Sequence, residues 1–500
     1  MTGNFNPFQT ATGPDKFGTP RYILVLFLAS LITGYLIATQ GLVAGITLLI
    51  FPFLLVFFYQ IFRHPALGLY TALCLGFILL GITRYFKGFA QVGIAMDGIL
   101  VFTYIALIFN RFYDRVDWKP AKKDITVLAA IWLAYGLLQF FNPEIRNREA
   151  WLAGMRGISL YMLLFVPLVL IFVDDMKKIR LFFRIWGIWA ILATMKGLMQ
   201  NYLGVDHWEK AWLDSGGAVT HILFGKLRIF SFFSDASQFG TNQAYTGVVF
   251  SILFFYEKNW KTRIFYAVVA CLAWDGMFLS GTRGAIVVPL SGFLLFFILK
   301  KNKAVTIGGF ILLAVFYVFF KYTMIGQGNQ QIRRMRTAFD PNDASLQVRL
   351  ANQKRLAVYL SSRPFGGGIG HAGVKAQRYL PNAFLSQIAT DSWYVLIWAE
   401  LGIVGLTLHL LILFYIMGKS CYLILFRIRD PGLQITMSAL AAGMAGIMVT
   451  SYSNSSLGTM PNSLLIYFSM AVMMNAMYFD NKISGTLEIT AGSGNSGKNP

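Results

Sequence analysis

Five hundred residues would ordinarily make roughly three soluble domains. With 56% hydrophobic and only 13% charged residues, however, the chain has too few charges to cover a water-facing surface, and a soluble enzyme is excluded. Disorder and fibrous repeats are excluded too, by 45 Phe, 23 Tyr and 11 Trp. Lys and Arg number 43 against 22 Asp and Glu, a formal +21, so where those positive charges lie becomes the question.

Residues 1–21 are polar, with Pro7, Pro14 and Pro20, and read as a cytoplasmic N-terminal segment. The apolar run that follows has no clear small-residue cleavage site, so it reads as a first span rather than a signal peptide. A bilayer crossing needs about 20 mostly apolar residues. Fourteen runs qualify: 22–39, 42–61, 66–83, 91–110, 125–141, 157–173, 181–203, 238–256, 264–281, 284–299, 304–322, 392–418, 433–452 and 462–478. The expected fold is therefore all-α, a polytopic membrane helix bundle of about 14 transmembrane helices, eleven in 22–322 and three in 392–478. Cys74, Cys271 and Cys421 fall in or beside apolar runs and read as small hydrophobes. The Gly/Ser/Asn-rich end, 479–500, reads as a disordered cytoplasmic tail.

Alternate connections carry the Lys/Arg excess expected of cytoplasmic loops. They are Arg111 to Lys123, Lys177 to Arg184, Lys258 to Arg263, Lys300 to Lys303, and Lys419 to Arg429. All fall on one side of a fourteen-span arrangement with both termini cytoplasmic. The other, non-cytoplasmic side has two substantial segments, 204–237 and 323–391, the second too polar to cross lipid. Within it Ala344–Ser361 has helical apolar spacing at Leu346, Leu350, Ala357 and Leu360, interrupted by Gln353, and predicts an amphipathic helix. Gly366–Gly370 superficially suggests a phosphate loop, but no Lys-Ser/Thr follows and a tight turn fits better.

The large loop holds Arg333, Arg334, Arg336, Arg349, Lys354, Arg355, Arg363, Lys375 and Arg378 against Asp340, Asp343 and Asp391. Any one of these arginines reads as a solvated side chain touching lipid headgroups. Arg228, Arg283 and Arg349 together read as an anion site, since guanidinium groups match phosphate oxygens two at a time. Arg283 lies in a hairpin turn at membrane level, Ser280–Ala285, where a charge is costly unless paired or used, although arginine also snorkels readily. Asp275, about two helical turns earlier, can be its counter-charge, and Glu400 can face the same cavity. Asp97 is a third intramembrane acid, for which structural pairing is sufficient. Asp391 serves equally as helix N-cap or as a functional acid. The five histidines have no metal-like spacing, and no HExxH, CxxC or Walker motif occurs, so neither metal nor nucleotide has an anchor.

Over residues 225–410 the chain resembles the O-antigen ligase/polymerase superfamily of membrane glycosyltransferases that assemble bacterial surface polysaccharide. Arg228-Ile229-Phe230-Ser231 with Asp235–Gly240 looks like its Arg-x-x-G-x-F…N-x-x-G segment, and Ser280–Ala285 like its Ser-x-x-Arg-Gly turn. Arg349 and Arg363–Gly370 look like its outer-loop arginine and glycine turn. Asp391–Tyr394 through Ala399–Leu406 look like its His-Asn…Ala-Glu-x-Gly ending. The resemblance implies an undecaprenyl-pyrophosphate-linked glycan as donor and a glycan or lipid acceptor. Membrane lipids surround it; cofactor and nucleic acid are not called for. Arg228, Arg283 and Arg349 would hold the pyrophosphate, and Asp275 and Glu400 would support the site. Asp391-Ser392 stands where the family has His-Asn, so the general base falls to Asp391, with His371 as the substitute. A transporter or lipid-linked oligosaccharide flippase remains the alternative, and a peptidoglycan-type polymerase matches less well.

Overall fold

A computed structural model describes residues 20–40, 42–85, 93–112, 116–223, 225–328, 330–340 and 342–494. The N-terminal segment 1–21 lies outside them except for Pro20 and Arg21. The chain forms two compact units, Met1–Leu67 and Gly68–Pro500. The first holds α1 (Pro20–Gln40), opened by a proline whose missing N–H costs nothing there, and α2 (Leu42–Arg63).

α3 (Ala66–Ile82) crosses the boundary between the units and α4 is Gly93–Phe112. α5 is Asp124–Leu138, and α6 (Arg148–Met155) runs through a π turn into α7 (Tyr161–Phe172). α8 (Met176–Tyr202) leads to the short α9 (His207–Trp212) and α10 (Ala218–His221). A two-stranded hairpin follows, β1 (Ile222–Leu223) with β2 (Lys226–Leu227). Then come α11 (Ala236–Tyr256), α12 (Trp260–Leu279), α13 (Val287–Leu299) and α14 (Lys303–Tyr322). α15 (Gln330–Arg336) and α16 (Ala344–Leu360) lie in the large loop. α17 (Trp393–Phe426), α18 (Pro431–Thr450), α19 (Asn462–Met474) and α20 (Ala476–Gly494) complete the chain.

Each predicted apolar run falls on a helix, and the protein is an all-α polytopic membrane protein. Among the described residues eight helices are long and apolar enough to cross a bilayer, and α19 with α20, bent by 53°, makes a ninth. α11 is not one of the eight. It is buried without interruption from Gln238 to Phe250 and packs against α12, α13 and α18. Several of its polar groups are met from neighbouring helices, Asn242 donating to Asn462 at 2.7 Å and Thr246 accepting from Trp186 at 2.9 Å, while Asn242 Oδ1 and Gln243 Oε1 are buried without a partner.

The connections sort into two ends. At one end Lys419 pairs with Asp124, Asp480 accepts from the Asp430 amide at 2.9 Å, and Lys482 donates to the Asp174 carbonyl at 2.9 Å. The basic connections from Arg111 to Arg429 lie at this end. The long segments 203–235 and 323–391 gather at the other, with the turn at 280–283 and the loop 451–461. From residue 479, read as a disordered tail, the backbone is helical as far as Gly494.

α16 occupies the predicted amphipathic segment, but its covered stripe differs from the expected one. Leu356 and Leu360 are buried while Leu350 is 38% exposed. The half-covered residues of the helix before them are Ser345, Leu346, Arg349, Asn352 and Gln353. The stripe turns polar toward the N-terminus because that half meets charged groups rather than the apolar core.

Candidate functional site

The segment before α11 is held by a buried arginine. Arg84, 4% exposed, donates to the carbonyls of Ser231 (3.2 Å), Phe233 and Ser234 (2.9 Å) and lies between the rings of Trp212 and Phe230. Ser231 has φ +52°, the left-handed region that glycine adopts freely, and it stands where the family motif has Gly. Its hydroxyl donates to the Ala193 carbonyl at 2.7 Å, and Gln200 accepts its amide at 2.8 Å, which hold the conformation. Replacing Arg84 with Ala leaves the Phe233 and Ser234 carbonyls without donors, while Gln200 still donates to that of Ser231, and a loss of about 3 kcal/mol is expected. Thermal unfolding of the purified variant in detergent checks it.

This frame sets Arg228. Its amide donates to the His221 carbonyl at 2.7 Å, one step beyond the Ile222–Leu227 pair, so the hairpin ladder fixes its backbone. Its guanidinium reaches the Thr220 carbonyl (3.2 Å) and Thr282 Oγ1 (3.4 Å), while Nε is buried without a partner. Thr282 in turn donates to the Ala236 carbonyl at 2.9 Å, which ties the α12–α13 turn to the start of α11.

Arg283 follows in that turn. Its guanidinium pairs with Asp343 and donates to Thr337 Oγ1 (3.1 Å) and Ser345. Asp343 also caps α16, accepting from the amides of Ser345 (3.0 Å) and Leu346 (3.1 Å). Burial raises the pKa of this carboxyl, but the donors Ser345 and Arg283 outweigh it and hold the value at about 2. A depressed carboxyl contributes stability above its ordinary range, so this link persists at neutral pH and is lost only as pH falls through about 2.

Arg334 completes the group. A Cβ on Gly281 would lie 3.5 Å from Arg334 Cδ, so the side chain crosses the turn itself, and Gly281 has φ +55°. Burial first, then the charges of Arg228 and Arg283, push its pKa down to about 10. Arg334 has no acidic partner among the described residues. Three guanidiniums thus converge on one turn; Asp343 pairs with Arg283, and the charge of Asp235 reaches Arg228.

Arg349 lies one helical turn beyond Ser345 on α16 and pairs through Nε with Asp391 at 3.3 Å. Asp391 is not the cap of α17. Ser392 takes that position, accepting from the Val395 amide (3.3 Å) and donating to the Ser451 carbonyl (3.2 Å), which leaves the Asp391 carboxylate outside the helix and its side chain 55% exposed. Thr450 donates to the Gly284 carbonyl at 2.7 Å, so the end of α18 joins the Arg283 turn to the start of α17.

The remaining candidates lie elsewhere. Asp275 is exposed on α12 and makes no pair with Arg283; the helix turns it away, and Asp343 from the loop is the counter-charge instead. Glu400, 3% exposed, accepts from the Ala372 amide at 3.3 Å. It fastens the glycine turn to α17, where Gly367 and Gly368 donate to the Ala399 and Glu400 carbonyls, both at 2.9 Å. That turn needs its glycines: Gly370 has φ +77°, and a Cβ on it would lie 2.0 Å from the Ala150 carbonyl oxygen. His371 is 3% exposed, and both ring nitrogens are engaged by backbone, Nε2 by the Arg146 amide (3.0 Å) and Nδ1 by the Ile369 carbonyl (2.8 Å). Burial lowers its pKa. The structure therefore brings together Arg228, Arg283, Arg349 and Asp391, and sets Asp275 and His371 apart. Sequence reasoning counted Arg334 among the loop charges without singling it out; its signal was proximity to the Arg283 turn, which spacing does not reveal.

Residues 267–410 match the family model described as O-antigen ligase. That span contains Arg283, Arg334, Asp343, Arg349 and Asp391, while Arg228 precedes it. The chain is also similar to an O-antigen polymerase of Salmonella muenchen, 24% identical over 344 residues that cover 64% of this chain and 81% of that protein. The helical membrane fold and these two matches support the resemblance to the O-antigen ligase/polymerase superfamily.

Proposed function

We propose that the protein is a membrane glycosyltransferase of surface-polysaccharide assembly. It transfers a glycan from an undecaprenyl-pyrophosphate donor to an acceptor hydroxyl at the periplasmic face. The observation that carries this reading is the convergence of Arg228, Arg283 and Arg334 on the 280–284 turn, three guanidiniums of which only Arg283 forms an ion pair among the described residues. The basic connections at the opposite end support a cytoplasmic assignment for that end, with both termini there and fourteen spans between.

In this reading the acceptor hydroxyl gives its proton to the Asp391 carboxylate as its oxygen attacks the anomeric carbon. The bond from that carbon to the phosphate oxygen breaks, and the lipid pyrophosphate leaves with the electron pair. Guanidiniums already in place meet the developing charge without reorganising. Arg349 links the two events, since a guanidinium drawn to the pyrophosphate uncovers Asp391.

The test is reconstitution in liposomes with a lipid-pyrophosphate-linked glycan and an acceptor. New glycosidic product is expected; substrate flux without product overturns the reading in favour of a transporter. In a deletion strain, polymer missing altogether from its final carrier marks a ligase, and single repeat units on that carrier mark a polymerase.

A further inference from the structure

One intramembrane ion pair lies outside this site. Arg156 sits eight residues beyond Arg148, about 12 Å along the helix at ~1.5 Å per residue. Its Nε pairs with Asp97 at 3.0 Å, and Asp97 also accepts from the Tyr161 hydroxyl at 2.8 Å. The helix widens into a π turn over Arg156–Leu160, a distortion that often accompanies function. Gly93 leaves room for the contact, since a Cβ there would lie 3.4 Å from Arg156 Nη1.

A guanidinium carries five N–H donors, and only Nε has an acceptor among the described residues. Arginine–carboxylate pairs frequently engage the fork through two nitrogens. Here Asp97 holds one edge, and the Nη edge has no acceptor among the described residues while the side chain keeps 19% of its exposure. The open edge lies where the helix meets the outer-end loop, beside Gly458, a setting in which a guanidinium fork takes a phosphate anion. Among the described residues no ion pair or hydrogen bond joins Arg156, Asp97 or Tyr161 to the arginine cluster.

We propose that Arg156, steadied by Asp97 and Tyr161, binds the phosphate group of a membrane lipid through its Nη edge. The shared chemistry is a phosphate ester at the bilayer surface, carried by a phospholipid headgroup or by a polyprenyl phosphate.

Native mass spectrometry of the purified full-length protein tests this, with phosphatidylglycerol, undecaprenyl phosphate and uncharged diacylglycerol offered separately. The wild type is expected to retain one phosphate lipid that the Arg156→Ala/Asp97→Asn double variant binds at least tenfold more weakly; removing both charges leaves neither unpaired. Arg283→Ala should keep that lipid, which separates this site from the proposed catalytic one. Preference for phosphatidylglycerol identifies a headgroup site, and preference for undecaprenyl phosphate a polyprenyl site. Equal binding by wild type and double variant, or equal retention of diacylglycerol, overturns the proposal. Should the double variant fail to fold, Arg156→Lys keeps the charge without the planar fork, and unchanged phosphate-lipid binding by that variant overturns it equally.

Discussion

Arg283→Ala is expected to lower glycan transfer by about 10²–10³-fold, the scale on which one preorganised charge donor contributes to catalysis. Arg283 is the junction of the cluster: its guanidinium meets Asp343, Thr337 and Ser345, and Arg334 lies over the turn that carries it. The measurement is the surface-glycan profile of a complemented deletion strain, with the variant's membrane level followed by immunoblot. Normal-length glycan from a normally expressed variant sinks the anion-site reading. Asp343→Asn provides the converse, because asparagine caps a helix as well as aspartate does. α16 keeps its N-terminus while the fork loses its resident carboxylate, so the donor KM is expected to fall. A rise in KM would mean that Asp343 orients Arg283 rather than competing with the substrate.

Asp391→Asn is expected to lower turnover by about 10²–10⁴-fold while donor binding is retained, the range for loss of a general base. The amide keeps the size of the carboxylate but takes no proton. Since Ser392, and not Asp391, caps α17, the helix start should be unaffected, and unfolding temperature in detergent checks that. Asp391→His is the informative rescue. Imidazole takes up its proton at a higher pH than an ordinary carboxyl, so a variant in which it acts as base should recover some activity with the acid limb of its pH profile moved upward. Recovery without that movement would assign Asp391 to holding Arg349 alone.

Hydropathy reaches the helices of this protein because a bilayer demands long apolar runs, and it reaches the grouping of basic connections for the same reason. It does not reach the polar face of α16, where the apolar spacing pointed to Leu350 and Ala357 while Arg349 and Gln353 are the residues turned inward. Motif order brought out Arg228, Arg283 and Arg349, since each stands in a recognisable local pattern. Arg334 lies in a run of three near-identical arginines, and only the fold distinguishes the one that crosses the Gly281 turn. The counter-charge of Arg283 illustrates the same limit. Asp275 is near it in sequence, yet the turn points the guanidinium into the loop, where Asp343 waits 60 residues downstream. His371 had the right chemistry and the right loop, but chain order carries no information on whether backbone amides occupy a ring nitrogen.

The amides of α11 bear on how the protein is made. A helix with Gln238, Thr241, Asn242 and Gln243 in consecutive turns is expensive to release alone into hydrocarbon. Its covering partners α12 and α13 emerge soon after it, but α18 and Asn462 are synthesised some 200 residues later. Insertion must therefore hold α11 in a sheltered setting until the C-terminal spans arrive, so truncations that remove those spans should be lost to membrane proteolysis before any question of catalysis arises.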